Sequence, residues 1–173
     1  DPHTWLFDAT DIVSGLAQEG YRTICIGGVI FFTKKNKLSR VLPSYFQQSY
    51  WRMNFGVTNP NSTANQVNHA LRLLDEIEAQ ERLFLFMNVS AIHGPNHYFV
   101  PGQQRDSVES QRAALRYVDG ELGRLFEVLR KRERPVFCLV FSDHGTAYGE
   151  DGYEGHRLAH EVVWNVPYRE FFL

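Results

Sequence analysis

A chain of 173 residues with 43% hydrophobic and 14% aromatic content is long enough to bury a core and too apolar to stay disordered. Its formal charge of −2 and pI near 6.4 argue, on overall charge, against nucleic-acid and membrane partners, and no apolar run approaches the ~20 residues of a membrane span. Two cysteines, Cys25 and Cys138, each sit in an apolar run and read as free buried thiols, which with no signal-like start leads us to expect a cytoplasmic protein.

Residues 8–19 place Ile12, Val13, Leu16 and Ala17 on one helical face, and Gly20 is a natural stop. Tyr21 to Ile26 reads as a strand closing in Gly27-Gly28. Residues 34–61 then break the rhythm, and a loop of that length reads as a lid-like excursion whose aromatics Tyr45, Phe46, Tyr50, Trp51 and Phe55 form a small core of their own. Thr63 and Gln66 form an expected capping box ahead of a helix bearing Val67, Ala70, Leu71, Leu74 and Ile77. In that helix His69 falls on the polar face. A second buried strand runs from Leu83 to Val89.

Asp106 or Ser107 caps a long helix to about Arg132, its inward face carrying Val118, Leu122, Leu125 and Leu129. The basic cluster from Arg130 to Arg134 complements the negative end of that helix. The strand 136–141 follows. Helices and strands alternate, and the strands are too apolar to have a wet face. The expected fold is therefore one α/β domain over 1–173, with a mostly parallel sheet and helices on both faces.

Ligands collect at the carboxyl ends of strands in such a sheet. Here two of those ends deliver histidine: His93 in His-Gly-Pro, and His144 in Ser142-Asp143-His144-Gly145. The glycines at 145, 149, 152 and 155 allow the chain to fold back and return His156 to the same place. Asp143, His144 and His156 are thus the expected ligands of a divalent ion, with Zn, Mn, Mg or Ca all compatible with a carboxylate and imidazoles. His93 is expected to meet the substrate or a second metal, and Arg157 to meet an anionic group of the substrate. His160, four residues beyond His156, is expected to be structural.

The spaced elements Ser142-Asp143-His144-Gly145, Gly149-Glu150-Asp151-Gly152, Gly155-His156 and Val166-Pro167-Tyr168 resemble the C-terminal signature of the alkaline phosphatase superfamily. Its sulfatase branch and the lipid-A phosphoethanolamine transferases carry close variants. The whole chain, from His3-Thr4-Trp5 through Phe7–Val29 to its end, most resembles bacterial sulfatase-like hydrolases. That resemblance implies metal binding by Asp143, His144 and His156, a metal or substrate role for His93, and hydrolysis of a small anionic sulfate or phosphate ester. A non-catalytic domain that binds metal or anion and a phosphoryl-group transferase are the alternatives. In such hydrolases a metal-binding Asp and a Ser, Thr or modified Cys nucleophile lie in an earlier segment, and this sequence shows neither. The chain begins without Met, as if cut from something longer, and is expected to lack its nucleophile-bearing segment. Its oligomeric state is open.

Overall fold

The computed structural model describes residues 10–173. The chain divides into two compact units, one ending at His93 and the other running Gly94–Leu173.

In the first unit, α1 (Ile12–Gln18) starts at Asp11, whose carboxylate accepts from the Ser14 amide at 2.9 Å and the Ser14 hydroxyl at 2.6 Å. It ends as expected at Gly20, whose φ of 80° lies in the left-handed region. β1 (Arg22–Ile26) follows, with Thr23 to Ile26 fully buried. After a 3-10 turn over Ile30–Phe32 comes α2 (Leu38–Ser44), then β2 (Gln48–Tyr50). α3 (Ser62–Asp75) leads into β3 (Leu83–Met87). The sheet order is β2-β1-β3, and both pairings are parallel. A mixed α/β architecture with a parallel sheet is therefore correct.

The excursion 34–61 is more regular than the sequence suggested, because it holds both α2 and the edge strand β2. Its aromatics join the sheet instead of packing apart from it: Phe46 lies 6.0 Å from Phe84 and 5.7 Å from Phe86, ring centre to ring centre. The Thr63–Gln66 capping box does not form. Helix α3 already starts at Ser62, and the Gln66 amide donates instead to the Asn88 carbonyl at 2.8 Å, tying α3 to the exit of β3.

His69 departs from its expected polar face. It is buried on α3, edge-on to Tyr50 at 4.5 Å, with its Nδ1 3.2 Å from an Arg72 guanidinium nitrogen. Burial first, then the charges of Arg52 and Arg72, hold its pKa below the ordinary imidazole value, while Glu76 pulls the other way. The unfolded chain thus takes up a proton that the folded chain refuses. Stability from this group is fully present above pH ~6.5 and is lost as pH falls through the lowered folded value. We expect the urea midpoint to fall between about pH 7.5 and about pH 5.5, either side of the imidazole range, by more in the native protein than in His69→Phe. An equal fall in both would assign the acid sensitivity elsewhere.

In the second unit, α4 (Val108–Leu129) begins with a capping box in which Ser107 and Ser110 exchange side chain-to-backbone bonds of 3.1 and 2.8 Å. β4 (Phe137–Phe141) pairs antiparallel with β7 (Tyr168–Phe172). The sequence placed this strand with the parallel set. The local pairing is antiparallel because the chain returns through β7, a strand that sequence periodicity did not mark. Phe126 of α4 packs edge-on against Phe171 at 5.5 Å. The rest of the ribbon is open: Phe137, Leu139, Val140, Phe141, Tyr168 and Phe172 are all exposed. Between the ribbon strands lie the short pair β5 (Ala147–Tyr148) and β6 (Glu154–Gly155), antiparallel to each other, and α5 (Glu161–Trp164).

Candidate metal centre

β4 ends at Phe141, and the next three residues are the Ser-Asp-His singled out by the sequence. The Ser142 hydroxyl donates to the His144 carbonyl at 2.6 Å, closing a tight local turn. Gly145 is obligatory here, since a Cβ would collide with the Val162 carbonyl oxygen of α5; the Gly145 amide bonds Val163 O at 2.9 Å. His144 leaves this turn with its Nδ1 2.9 Å from the Gly145 carbonyl oxygen. A carbonyl accepts only, so Nδ1 carries the proton and the lone pair is on Nε2, the arrangement of a metal-ligating histidine.

The return is made by the β5–β6 hairpin. Gly149 and Gly155 adopt φ values of 119° and 88°, which only glycine tolerates readily, and the chain reverses between them. His156 arrives stacked on His144, ring centres 4.4 Å apart and planes 18° from parallel. The Asp143 carboxylate lies 3.9 Å from His144 Nε2 and is 85% exposed. The structure thus sets Asp143 and His156 each beside His144. Glu150 accepts from the Tyr148 amide, which lowers its carboxyl pKa and fixes the hairpin tip.

Behind the hairpin lies a polar lock that the sequence did not announce. Asn96, fully buried, donates to Tyr148 Oη at 3.1 Å and to Gln111 Oε1, and accepts from the Ser110 hydroxyl. Tyr148 in turn donates to Gln111 at 2.8 Å. Burial raises the Tyr148 pKa, so the phenol keeps its proton and its role as donor. Scattered Asn, Gln and Tyr carry no spacing signature, which is why only coordinates reveal the lock. Nearby, Asp106 holds the loop by accepting from the amides of Asn96 and His97, both at 2.8 Å, and from His97 Nδ1 at 3.0 Å.

The remaining expected residues fall elsewhere. His93 is exposed at the end of the first unit, its amide bonded to Ser90 O at 3.0 Å. Arg157 is exposed next to His156 in sequence. His160 is structural: its Nδ1 accepts from the Val162 amide at 3.2 Å and its Nε2 donates to Asp151 at 3.1 Å. The four-residue spacing of His156 and His160 spans no helix. His3 lies outside the described residues. Burial pushes the Cys25 thiol up to about 12, and the Cys138 thiol is also raised, so neither suits a nucleophile.

Asp143 and His144 present donor types that fit a divalent ion. Among the described residues, however, no three His, Cys, Asp or Glu side chains gather as an ion would require. The fit is to one side of a shell.

The sequence matches the Sulfatase family over residues 9–172. The chain belongs to the sulfatase family. Its fold matches the C-terminal periplasmic domain of EcEptC from Escherichia coli, with a TM-score of 0.66 and 16% identity over 94% of this chain and 51% of that one. The zinc complex of the same domain gives 0.66 and 15%, with 94% and 52% covered. A phosphoglycerol transferase, GacH of Streptococcus pyogenes, solved with sn-glycerol-1-phosphate, reaches a TM-score of only 0.44 at 14% identity, with 72% and 37% covered. No curated protein matches the sequence. The sulfatase-family chain spans about half the length of the EcEptC domain it resembles. The cytoplasmic location expected from free thiols is overturned by these comparisons, since both EcEptC structures are of a periplasmic domain. The reason is physical: Cys25 and Cys138 are unpaired, Cys25 buried as expected and Cys138 only half-buried, and an unpaired thiol carries no mark of its compartment.

Proposed function

We propose that this sulfatase-family chain contributes one side of a divalent-metal site to a hydrolase of small anionic sulfate or phosphate esters working in the periplasm. The observation that carries the reading is His144, whose Nδ1 proton is committed to Gly145 O while its Nε2 faces the Asp143 carboxylate and its ring stacks on His156. Asp143 and His144 would hold the ion, His156 would hold it or the substrate, and His93 and Arg157 would meet the ester's anionic oxygens. A bound divalent ion polarises an ester oxygen and stabilises charge developing on it. The residues present would orient and bind. The family resemblance also includes phosphoryl transferases, which would use the same site with another acceptor.

With only part of a shell, the chain alone is expected to bind Zn or Mn weakly, since affinity grows with the number of converged donors. Isothermal titration calorimetry checks this. Tight one-to-one binding would mean that the shell is complete within these residues. Metal analysis of the whole protein with a panel of sulfate and phosphate esters then tests the activity, and a panel without turnover in the metal-loaded protein would leave a binding domain as the better reading.

A further inference from the structure

The overall charge of −2 hides a strong segregation along the chain. From Gly20 to Leu74 the sequence holds seven Lys or Arg and no Asp or Glu, so all 20 acidic residues lie outside that stretch. Four of those cations, Lys34, Lys35, Lys37 and Arg40, lie together between the 3-10 turn and the middle of α2, and all are exposed. Lys34 sits at φ 58°, a conformation uncommon for a residue with a Cβ. It is pinned there: its Nζ donates to Ser49 O at 2.7 Å, and its carbonyl accepts from Arg40 Nε at 3.0 Å. A cleft of about 290 Å³ lies beside them, lined by Lys34, Arg40, Ser44 and Ser49 among others.

Large apolar side chains stand exposed on the same two elements. Ile30 is 67% exposed and Phe31 47% on the 3-10 turn. Leu38 and Leu42, one helical turn apart and so on one face of α2, are 58% and 38% exposed. The turn and α2 pack on each other, so the four are carried on adjoining elements. Exposed aliphatics alone would fit many partners, and cations alone would fit any polyanion. Their interleaving on one short amphipathic element is what an anionic bilayer interface rewards: apolar groups enter the acyl boundary while Lys and Arg meet headgroup phosphates. A nucleic acid would leave Ile30, Phe31 and Leu38 in water.

We propose that the surface formed by Ile30–Phe32 and α2 docks on an anionic lipid bilayer, with the Lys34–Arg40 cleft receiving a headgroup phosphate. This departs from the absence of a membrane partner expected from overall charge, and it stands independently of the metal site. It predicts binding to the membrane surface, with no spanning segment: among the described residues no helix is long and apolar enough to cross.

The test is co-sedimentation with phosphatidylcholine vesicles and with vesicles part-replaced by phosphatidylglycerol. Binding is expected only to the second kind and should weaken at high salt. Each of Lys35→Ala, Lys37→Ala and Arg40→Ala should lower vesicle affinity about fivefold, the effect of one cation near an anionic surface. Ile30→Ser with Leu38→Ser should weaken binding further, and circular dichroism would show these surface variants to be folded. The proposal is overturned by equal binding to neutral vesicles, by no binding, or by loss of binding in Phe137→Ser with Phe172→Ser while the cation variants bind normally. Capture by soluble polyglutamate without vesicle binding would assign the face to an acidic protein and overturn it too.

Discussion

Replacing His144 with alanine in the whole protein is expected to cut turnover of p-nitrophenyl phosphate or sulfate by far more than ~100-fold, because losing even an outer partner of a metal ligand costs ~10–100-fold. His144 is proposed to touch the ion directly, and its ring is set by two independent constraints, the Gly145 carbonyl and the His156 stack. Asp143→Ala should behave alike. Removing this carboxylate should harm folding little, since it is 85% exposed and, among the described residues, its bonds are to its own neighbour His144. That combination separates the proposed role from a structural one: activity and metal content collapse while the melting curve stays in place. Near-normal turnover in both variants would remove the metal assignment altogether.

The second large effect is on stability. Asn96→Ala should cost the second unit about 3 kcal/mol, because it removes one hydrogen bond from each of three partners at a net ~0.5–1.5 kcal/mol apiece. The buried Ser110 hydroxyl loses one of its two acceptors, Ser107 O remaining at 3.0 Å, and the half-buried Gln111 and Tyr148 each lose a donor. Tyr148→Phe removes fewer bonds and should cost about 1 kcal/mol. Urea titration of both variants measures this directly. A shift in Asn96→Ala no larger than that of Tyr148→Phe would mean that water replaces the amide and that the lock is ordinary loop packing.

Much of the architecture was legible because it follows from local chemistry. The parallel pair β1 and β3 and the long helix α4 each carry dense apolar periodicity, so their positions came within a few residues. Gly20 stops α1 because only glycine enters its φ cheaply. The hairpin that returns His156 to His144 was readable for the same reason, from glycines at 149 and 155. What sequence missed was set by distant partners. β2 is a strand because β1 offers it an edge, and β7 because β4 does; neither signal exists locally. Gln66 looked like a capping residue until β3 supplied a better acceptor at Asn88. His69 was misplaced because α3 turns its polar stripe inward, where Ser62, Thr63 and Gln66 are buried as well.

The site divides in the same way. Asp143, His144 and His156 share one strand exit and one hairpin, so the approach of Asp143 and of His156 to His144 is a local event, while among the described residues the three do not gather as an ion would require. His93 was read from a strand end and Arg157 from its charge, and their meeting with a substrate is a matter for the ester panel. Compartment was the weakest inference, since two unpaired thiols, one buried and one half-buried, carry no address.

The uncovered β4–β7 ribbon has a consequence at the bench. Phe137, Leu139, Phe141, Tyr168 and Phe172 share one face of the two-strand ladder and invite a second copy to seal against them, so scattering from this chain should grow with concentration through that contact. A lysine introduced at Leu139, on that same face, would set like charges face to face in any such sandwich, and is the simplest means of keeping preparations monodisperse.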